Sequence, residues 1–190
     1  MKNKIGELLF QIIPVMIGVY LGFAVSDWSD NKKRKAQSKM LVENILSEIE
    51  FNEKRIKNVV DYHQMLRDSS DVYSNSIEKN QRPPYFKGTR VVKLTNSAYN
   101  TGNQTGIINE LPMKQIQILN KLYTYQNDYN DFGNMLLNAL VNKDFTKRNK
   151  EMGEVVRFLS VTMTDIVIKE RDLLEGFKMV EMELKGSEDK

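Results

Sequence analysis

The strongest feature of the hydrophobic pattern is an uncharged apolar run from Leu8 to Val25, near the start of the chain. Such a run predicts a transmembrane helix, because about 20 residues at ~1.5 Å rise per residue cross a hydrocarbon core of about 30 Å. Trp28 follows the run, and indole rings favour the headgroup level of a bilayer. We therefore expect residues 1–29 to be a transmembrane anchor.

The same stretch has some features of a cleaved secretory signal. Lys2 and Lys4 form a short basic start, and Ala24-Val25-Ser26 has the spacing of a cleavage site. However, the apolar core of a signal peptide is about 7–15 residues long, and this run is longer. The length favours a retained anchor.

Beyond the anchor, apolar residues recur in steps of three and four, as on one face of a helix. No glycine or proline lies between Val25 and Gln81. This pattern predicts a juxtamembrane stalk helix over residues 30–80, either continuous with the membrane helix or broken near residues 26–29.

One stripe of the stalk helix alternates steps of four and three, and it contains two polar residues. Its members are Ile45, Ile49, Asn52, Ile56, Val59, His63 and Leu66. A buried polar group is costly without a partner, so we expect each polar residue to have one across the bundle or in a water. Asn52 is interpreted as a residue that fixes register or oligomeric state, and its replacement by Leu is expected to raise thermal stability. His63 is interpreted as structural rather than catalytic.

The second half of the chain predicts a crossover and a hairpin. Pro83-Pro84 and three later glycines punctuate residues 81–111, where residues 94–100 predict a short helix capped by Thr95 or Asn96. Residues 112–185 predict two antiparallel helices, and residues 186–190 a polar tail. The predicted fold class is all-α: an N-terminal transmembrane helix continues into a long stalk helix, which packs with an antiparallel helical hairpin.

Two groups of residues near the anchor are candidates for contacts with other molecules. Small residues lie on one face of the span and would permit close helix packing, although glycine is also common in membrane helices: Gly18, Gly22 and Ser26. Beyond Trp28, a basic cluster suits anionic headgroups: Lys32, Lys33, Arg34 and Lys35. The Lys/Arg excess after the span favours a cytoplasmic C-terminal domain, and a periplasmic one stays open.

Several short motifs resemble an uncharacterised family of bacterial single-span membrane proteins common in the Bacteroidota. In that family the span closes in a tryptophan with acidic and then basic residues, and here the junction reads Ala24-Val25-Ser26-Asp27-Trp28-Ser29-Asp30. Similar motifs follow at Ala98-Tyr99-Asn100, Gly106-Ile107-Ile108 and Leu122-Tyr123. The resemblance implies anchorage in a bacterial inner membrane and a helical domain, and it implies no catalytic residues.

Composition narrows the possible chemistry. A net charge of +3 is too small to indicate nucleic-acid binding, and the chain has no cysteine and a single histidine. A di-metal site in a bundle uses Glu-x-x-His, but Val60 lies three residues before His63. The segment Thr101 to Gly106 lacks the Gly-Lys-Ser/Thr ending of a phosphate-binding loop. We expect no enzyme activity, no metal and no cofactor.

Three functions are consistent with these patterns. The first is a non-catalytic, membrane-anchored interaction or scaffold subunit, whose partners are the bilayer and, through the span, a second copy or another membrane protein. The second is a sensory module with a ligand pocket lined by Tyr85, Tyr99 and Tyr123; the third is a membrane-bound hydrolase with unidentified residues. A filled core with an exposed apolar patch favours the first, and a polar-lined pocket favours the second.

Overall fold

The computed structural model describes residues 2–74, 83–141, 143 and 150–186. Over these ranges the chain is helical and forms no strand, so the predicted all-α class is confirmed. Five α-helices and one 3₁₀ turn (Ile107–Glu110) follow in order: α1 (Lys2–Lys57), α2 (Val60–Ser74), α3 (Ser97–Thr105), α4 (Met113–Val141) and α5 (Lys150–Lys185).

The predicted membrane helix and the predicted stalk belong to one helix, since α1 runs without a break through residues 26–29. Residues 12–37 are all exposed, and the first buried core residue is Leu41. We call residues 26–37 the neck. At ~1.5 Å per residue the neck extends about 18 Å as a single helix between the span and the helical body, by which we mean the bundle whose core begins at Leu41.

The stalk is interrupted once, which its sequence did not predict. Asn58 and Val59 form a turn between α1 and α2, where the Val59 N–H donates to the Ile56 carbonyl at 2.9 Å instead of reaching back four residues. Residues 75–80 of the predicted stalk lie outside the described residues. The predicted stripe nevertheless holds, because all seven of its members are buried.

After α2 the chain returns toward the neck along the same helices. Successive side-chain contacts pair Tyr85 with Ser70, Thr95 with Asn52, and Glu110 with Arg34. The returning chain therefore runs antiparallel to α1 and α2, and it ends beside the neck. We call its extended first part, residues 83–96, the strap.

The last two helices complete the bundle as the predicted antiparallel hairpin. Helix α4 runs parallel to α1, since Tyr123 contacts Glu48 and Gln126 contacts Asn52. Helix α5 runs back, and an ion pair joins Lys114 at the start of α4 to Glu183 near the end of α5. Helix α5 packs against both α2 and α4, and the apolar side chains between these helices form one core.

The short helix of the crossover begins later than its sequence predicted. Helix α3 starts at Ser97, and Asn96 at its N-cap makes no side-chain capping bond. Glu48 from α1 takes this role, accepting hydrogen bonds from the Ser97 hydroxyl and the Ala98 N–H, both at 2.9 Å. A carboxylate is well suited to this position, because it meets unpaired N–H groups at the positive end of the helix dipole.

Candidate functional site

The strap is extended without a neighbouring strand, so its backbone groups need partners from side chains. Asn130 on α4 pairs with both backbone groups of Leu94: its amide oxygen accepts from the N–H at 2.8 Å, and its amide nitrogen donates to the carbonyl at 3.0 Å. The polar side chains of the bundle interior therefore bind a peptide backbone within the same chain.

Asn52 binds the next residue of the strap in the same two-sided way. Its Oδ1 accepts from the Thr95 N–H at 3.0 Å, and its Nδ2 donates to the Thr95 carbonyl at 2.8 Å. Gln126 also donates to that carbonyl, at 2.6 Å, and accepts from Asn52 at 3.0 Å. The expected partner of Asn52 is thus present across the bundle, and it is mainly the strap.

His63 links the strap to α5 in the most deeply buried polar cluster. Its Nε2 donates to the Thr89 carbonyl at 2.7 Å, and its Nδ1 lies 2.7 Å from Glu170 Oε1. The Tyr129 hydroxyl donates to the same carboxylate oxygen at 2.9 Å. Since a carbonyl can only accept, His63 Nε2 is the donor in the contact with Thr89.

Two tyrosines of the interior are held in their neutral form. Burial, and then the hydrogen bond and charge of Glu48, raise the pKa of Tyr123, whose hydroxyl lies 2.7 Å from Glu48 Oε1. Burial, and then the charge of Glu170, raise the pKa of Tyr129. Both tyrosines act as hydrogen-bond donors to carboxylates inside the fold.

This interior arrangement is enclosed. His63, Glu170 and Tyr129 are each 0% exposed, so residue types that serve in catalysis elsewhere have no path to a substrate here. Within the described ranges, Glu170 Oε2 and Arg55 Nε are buried without a hydrogen-bond partner, and no group of His, Asp and Glu side chains is arranged to hold a metal.

The three tyrosines proposed for a sensory pocket do not converge. Tyr99 stacks on Tyr123 with ring centroids 4.1 Å apart, and its hydroxyl donates to Asn120. Tyr85 lies elsewhere, with its hydroxyl 3.3 Å from Ser70 on α2.

The candidate contact residues near the anchor all lie on the exposed part of α1, where Arg34 alone among them meets another element of the described chain. No other part of the described chain comes within 4 Å of a Cβ built on Gly18 or Gly22, and Ser26 is exposed. Lys32 places its Nζ 5.6 Å from the ring centre of Trp28, while Arg34 approaches Glu110 at 3.6 Å. Lys33 and Lys35 are exposed. Within the described residues this is the one helix long and apolar enough to cross a membrane.

A second candidate surface lies on the outer side of the hairpin, and the sequence analysis missed it. A groove of about 240 Å³ opens there between α4 and α5. Gly176 leaves room for it, since a Cβ there would stand 3.0 Å from Leu122 Cδ1. Apolar and charged side chains line the groove, and we call this surface the α4–α5 face: Ile118, Lys121, Tyr125, Asp172, Glu175 and Met179.

The α4–α5 face exposes large apolar side chains to solvent. Tyr125 is 47% exposed and Met179 48% exposed, and Met182 one turn further along α5 is 68% exposed. Methionine adapts its shape to varied partners, so exposed methionines are typical of binding surfaces. The sequence signal was available, because these residues fall outside the buried stripes of their helices.

The sequence matches no model of a protein family, and neither curated proteins nor solved structures give a significant match.

Proposed function

We propose that the protein is a single-pass membrane protein whose helical body is a non-catalytic interaction subunit. The observation that carries this proposal is the α4–α5 face, an exposed, largely apolar groove on the outside of a bundle whose core side chains are buried. The body presents this face away from α1 and α2, at the far end of the neck. Its resemblance to the Bacteroidota single-span family supports the same architecture.

The anchor side of the proposal rests on the lone apolar helix and its flanks. Residues 12–25 are exposed along their whole length, which suits lipid and would be unfavourable in water. Trp28 and the basic residues of the neck match the headgroup layer. The Lys/Arg excess beyond the span supports a bacterial inner membrane protein with its body in the cytoplasm.

The small residues of the span belong to the same proposal. Gly18, Gly22 and Ser26 offer a face on which another membrane helix would pack closely, since no part of the described body covers it. The closed His63 cluster, and the separation of Tyr85 from the stacked Tyr99 and Tyr123, favour this interaction role over the sensory and hydrolytic alternatives.

The decisive experiment places a photoreactive phenylalanine analogue at single positions of the full-length protein in its native membranes. At Tyr125, in the groove, irradiation should give a discrete adduct. The matched control is Val72, an apolar residue on α2 that is 73% exposed and distant from the groove. Adducts at both positions alike, or at neither, would contradict an interaction role for the α4–α5 face.

A further inference from the structure

The rim of the α4–α5 face carries charged side chains that form no ion pair with the part of the chain that the structure describes. Lys121 lies on α4, and Asp172 and Glu175 lie on α5; all three are exposed. None of them forms an ion pair with another described residue, although Lys114 and Glu183 at the end of the same groove do. Opposite charges therefore flank an apolar groove on its two sides.

The antiparallel packing of α4 and α5 fixes the height of each residue above the membrane. Lys114 meets Glu183, a Cβ on Gly176 would meet Leu122, and Tyr129 meets Glu170. Lys121 on α4 is consequently level with residues 175–178 on α5, and Ile118 is level with Met179.

The bilayer restricts how two copies can associate. Copies anchored in one membrane with the same orientation are related by a two-fold axis along the membrane normal, and rotation about that axis leaves every height unchanged. Helices α4 and α5 run along α1, which crosses the membrane. In a symmetric pair joined through the α4–α5 face, α4 of one copy therefore meets α5 of the other at the same height.

We propose that the occupant of the α4–α5 face is a second copy of this chain, a proposal that rests on the interaction role proposed above. In this pair Lys121 lies against Glu175 of the second copy, Tyr125 against Asp172, and Ile118 against Met179. Each contact occurs twice, because the interface is isologous. The four helices form a bundle in which charges on the rim set the register around an apolar centre.

The geometry separates this pairing from association through the span. Helix α1 meets α4 through Tyr123 and Gln126, on a different side of α4 from the groove residues Lys121 and Tyr125. In the proposed pair the α4 and α5 helices of both copies lie between the two α1 helices, which keeps Gly18 and Gly22 of the two copies apart. The face of the span that carries the small residues Gly18, Gly22 and Ser26 is left for a different membrane protein.

Charge reversal in the full-length protein, measured as dimer dissociation in phospholipid vesicles, tests the proposal. Lys121→Glu should weaken association at least about tenfold, and Lys121→Glu combined with Glu175→Lys should restore it. Lys54→Glu and Glu50→Lys, exposed on α1, are matched controls that should leave association unchanged. Gly18→Leu should also leave it unchanged.

Cross-linking gives a second measurement, since the chain has no cysteine of its own. Membranes holding one population with Lys121→Cys and another with Glu175→Cys should yield a mixed dimer with a short cross-linker, whereas Lys54→Cys with Glu50→Cys should not. A monomeric protein, or a dimer that Gly18→Leu abolishes and Lys121→Glu leaves intact, would overturn the proposal. An adduct from Tyr125 with a different protein alone would also overturn it, while the proposed function would stand.

Discussion

At the level of single residues, the polar side chains of the bundle interior act mainly on the strap. Asn52, Gln126 and Asn130 bind the two sides of consecutive peptide units, as a neighbouring strand would. His63 donates from one ring nitrogen to the Thr89 carbonyl alone, and its other ring nitrogen meets Glu170. Their burial is stabilising because each is paired, so removal of one partner leaves another unsatisfied.

These contacts change the expectation for Asn52. Replacement by Leu would strand the Thr95 N–H, so Asn52→Leu should lower the free energy of unfolding by about 1–3 kcal/mol instead of raising stability. Chemical denaturation of the full-length protein in detergent measures this difference. Asn44→Leu, at an exposed position on α1, is the matched control and should change stability by less than about 0.5 kcal/mol. A more stable Asn52→Leu protein would show that the strap does not depend on this residue.

The raised pKa values of Tyr123 and Tyr129 predict a loss of stability at alkaline pH. Above about pH 10 the unfolded chain releases tyrosine protons that the fold retains, so the unfolded state binds fewer protons and the free energy of unfolding falls as pH rises. Each tyrosine contributes about 1.4 kcal/mol per pH unit in that range. Unfolding measured between pH 9 and about pH 11.5 should show a shallower slope for Tyr123→Phe, and a slope equal to the parent's would contradict the assignment.

At the level of elements, the strap crosses α4 where α4 has no side chain. A Cβ on Gly133 would stand 2.7 Å from Val91 Cγ1, so the backbone of α4 and the strap approach as closely as they do because this residue is glycine. Glycine inside a helix normally costs about 0.5–1 kcal/mol relative to alanine. Its presence here follows from the contact with the strap.

Gly133→Ala should therefore destabilise the protein by about 1–3 kcal/mol, against the usual preference of helices for alanine. Val91→Ala removes the obstructing methyl groups, so the double variant should recover most of the loss due to Gly133→Ala. Thermal unfolding of the parent, both single variants and the double variant gives the coupling between the two positions. If the effects of the two single variants on stability were simply additive, the contact between Val91 and position 133 would not be the cause of the loss.

At the level of the whole molecule, the neck separates two environments. The headgroup layer adds about 5–8 Å on each side of the hydrocarbon core, whereas the neck extends about 18 Å beyond the span. In the proposed membrane topology, the body therefore stands clear of the lipid, with α4 and α5 along the membrane normal. This arrangement leaves the α4–α5 face accessible to another protein in the same membrane.

The exposed apolar residues of α1 predict integral insertion into a membrane. Full-length protein should stay with membranes through alkaline carbonate washing, because a membrane-spanning helix does not leave an intact bilayer. Residues 36–190 alone, which lack the span, should be soluble and mainly helical by circular dichroism. Release of the full-length chain by carbonate would contradict the anchor.

Much of this architecture was predictable because helical periodicity is local. The uncharged run predicted a helix long and apolar enough to span a membrane, which the structure contains. The steps of three and four predicted the buried stripe through Ile45 and Leu66, and two long apolar patterns predicted the antiparallel hairpin. The positions of Asn52 and His63 on a stripe expected to be buried also indicated that each needs a hydrogen-bond partner. Each of these inferences needs only the identity of residues within a few turns of one another.

Which residues those partners are was decided by the tertiary structure alone. Thr95 lies 43 positions from Asn52, and Glu170 lies 107 positions from His63, so no local spacing connects them. The same holds for the cap that Glu48 gives to α3, which displaced the expected local caps. The α4–α5 groove likewise exists only because two helices distant from the anchor pack around Gly176. The sequence by itself determined where helices form and which faces they bury. Long-range packing determined what those faces meet, because pairing between distant segments depends on how the chain returns on itself.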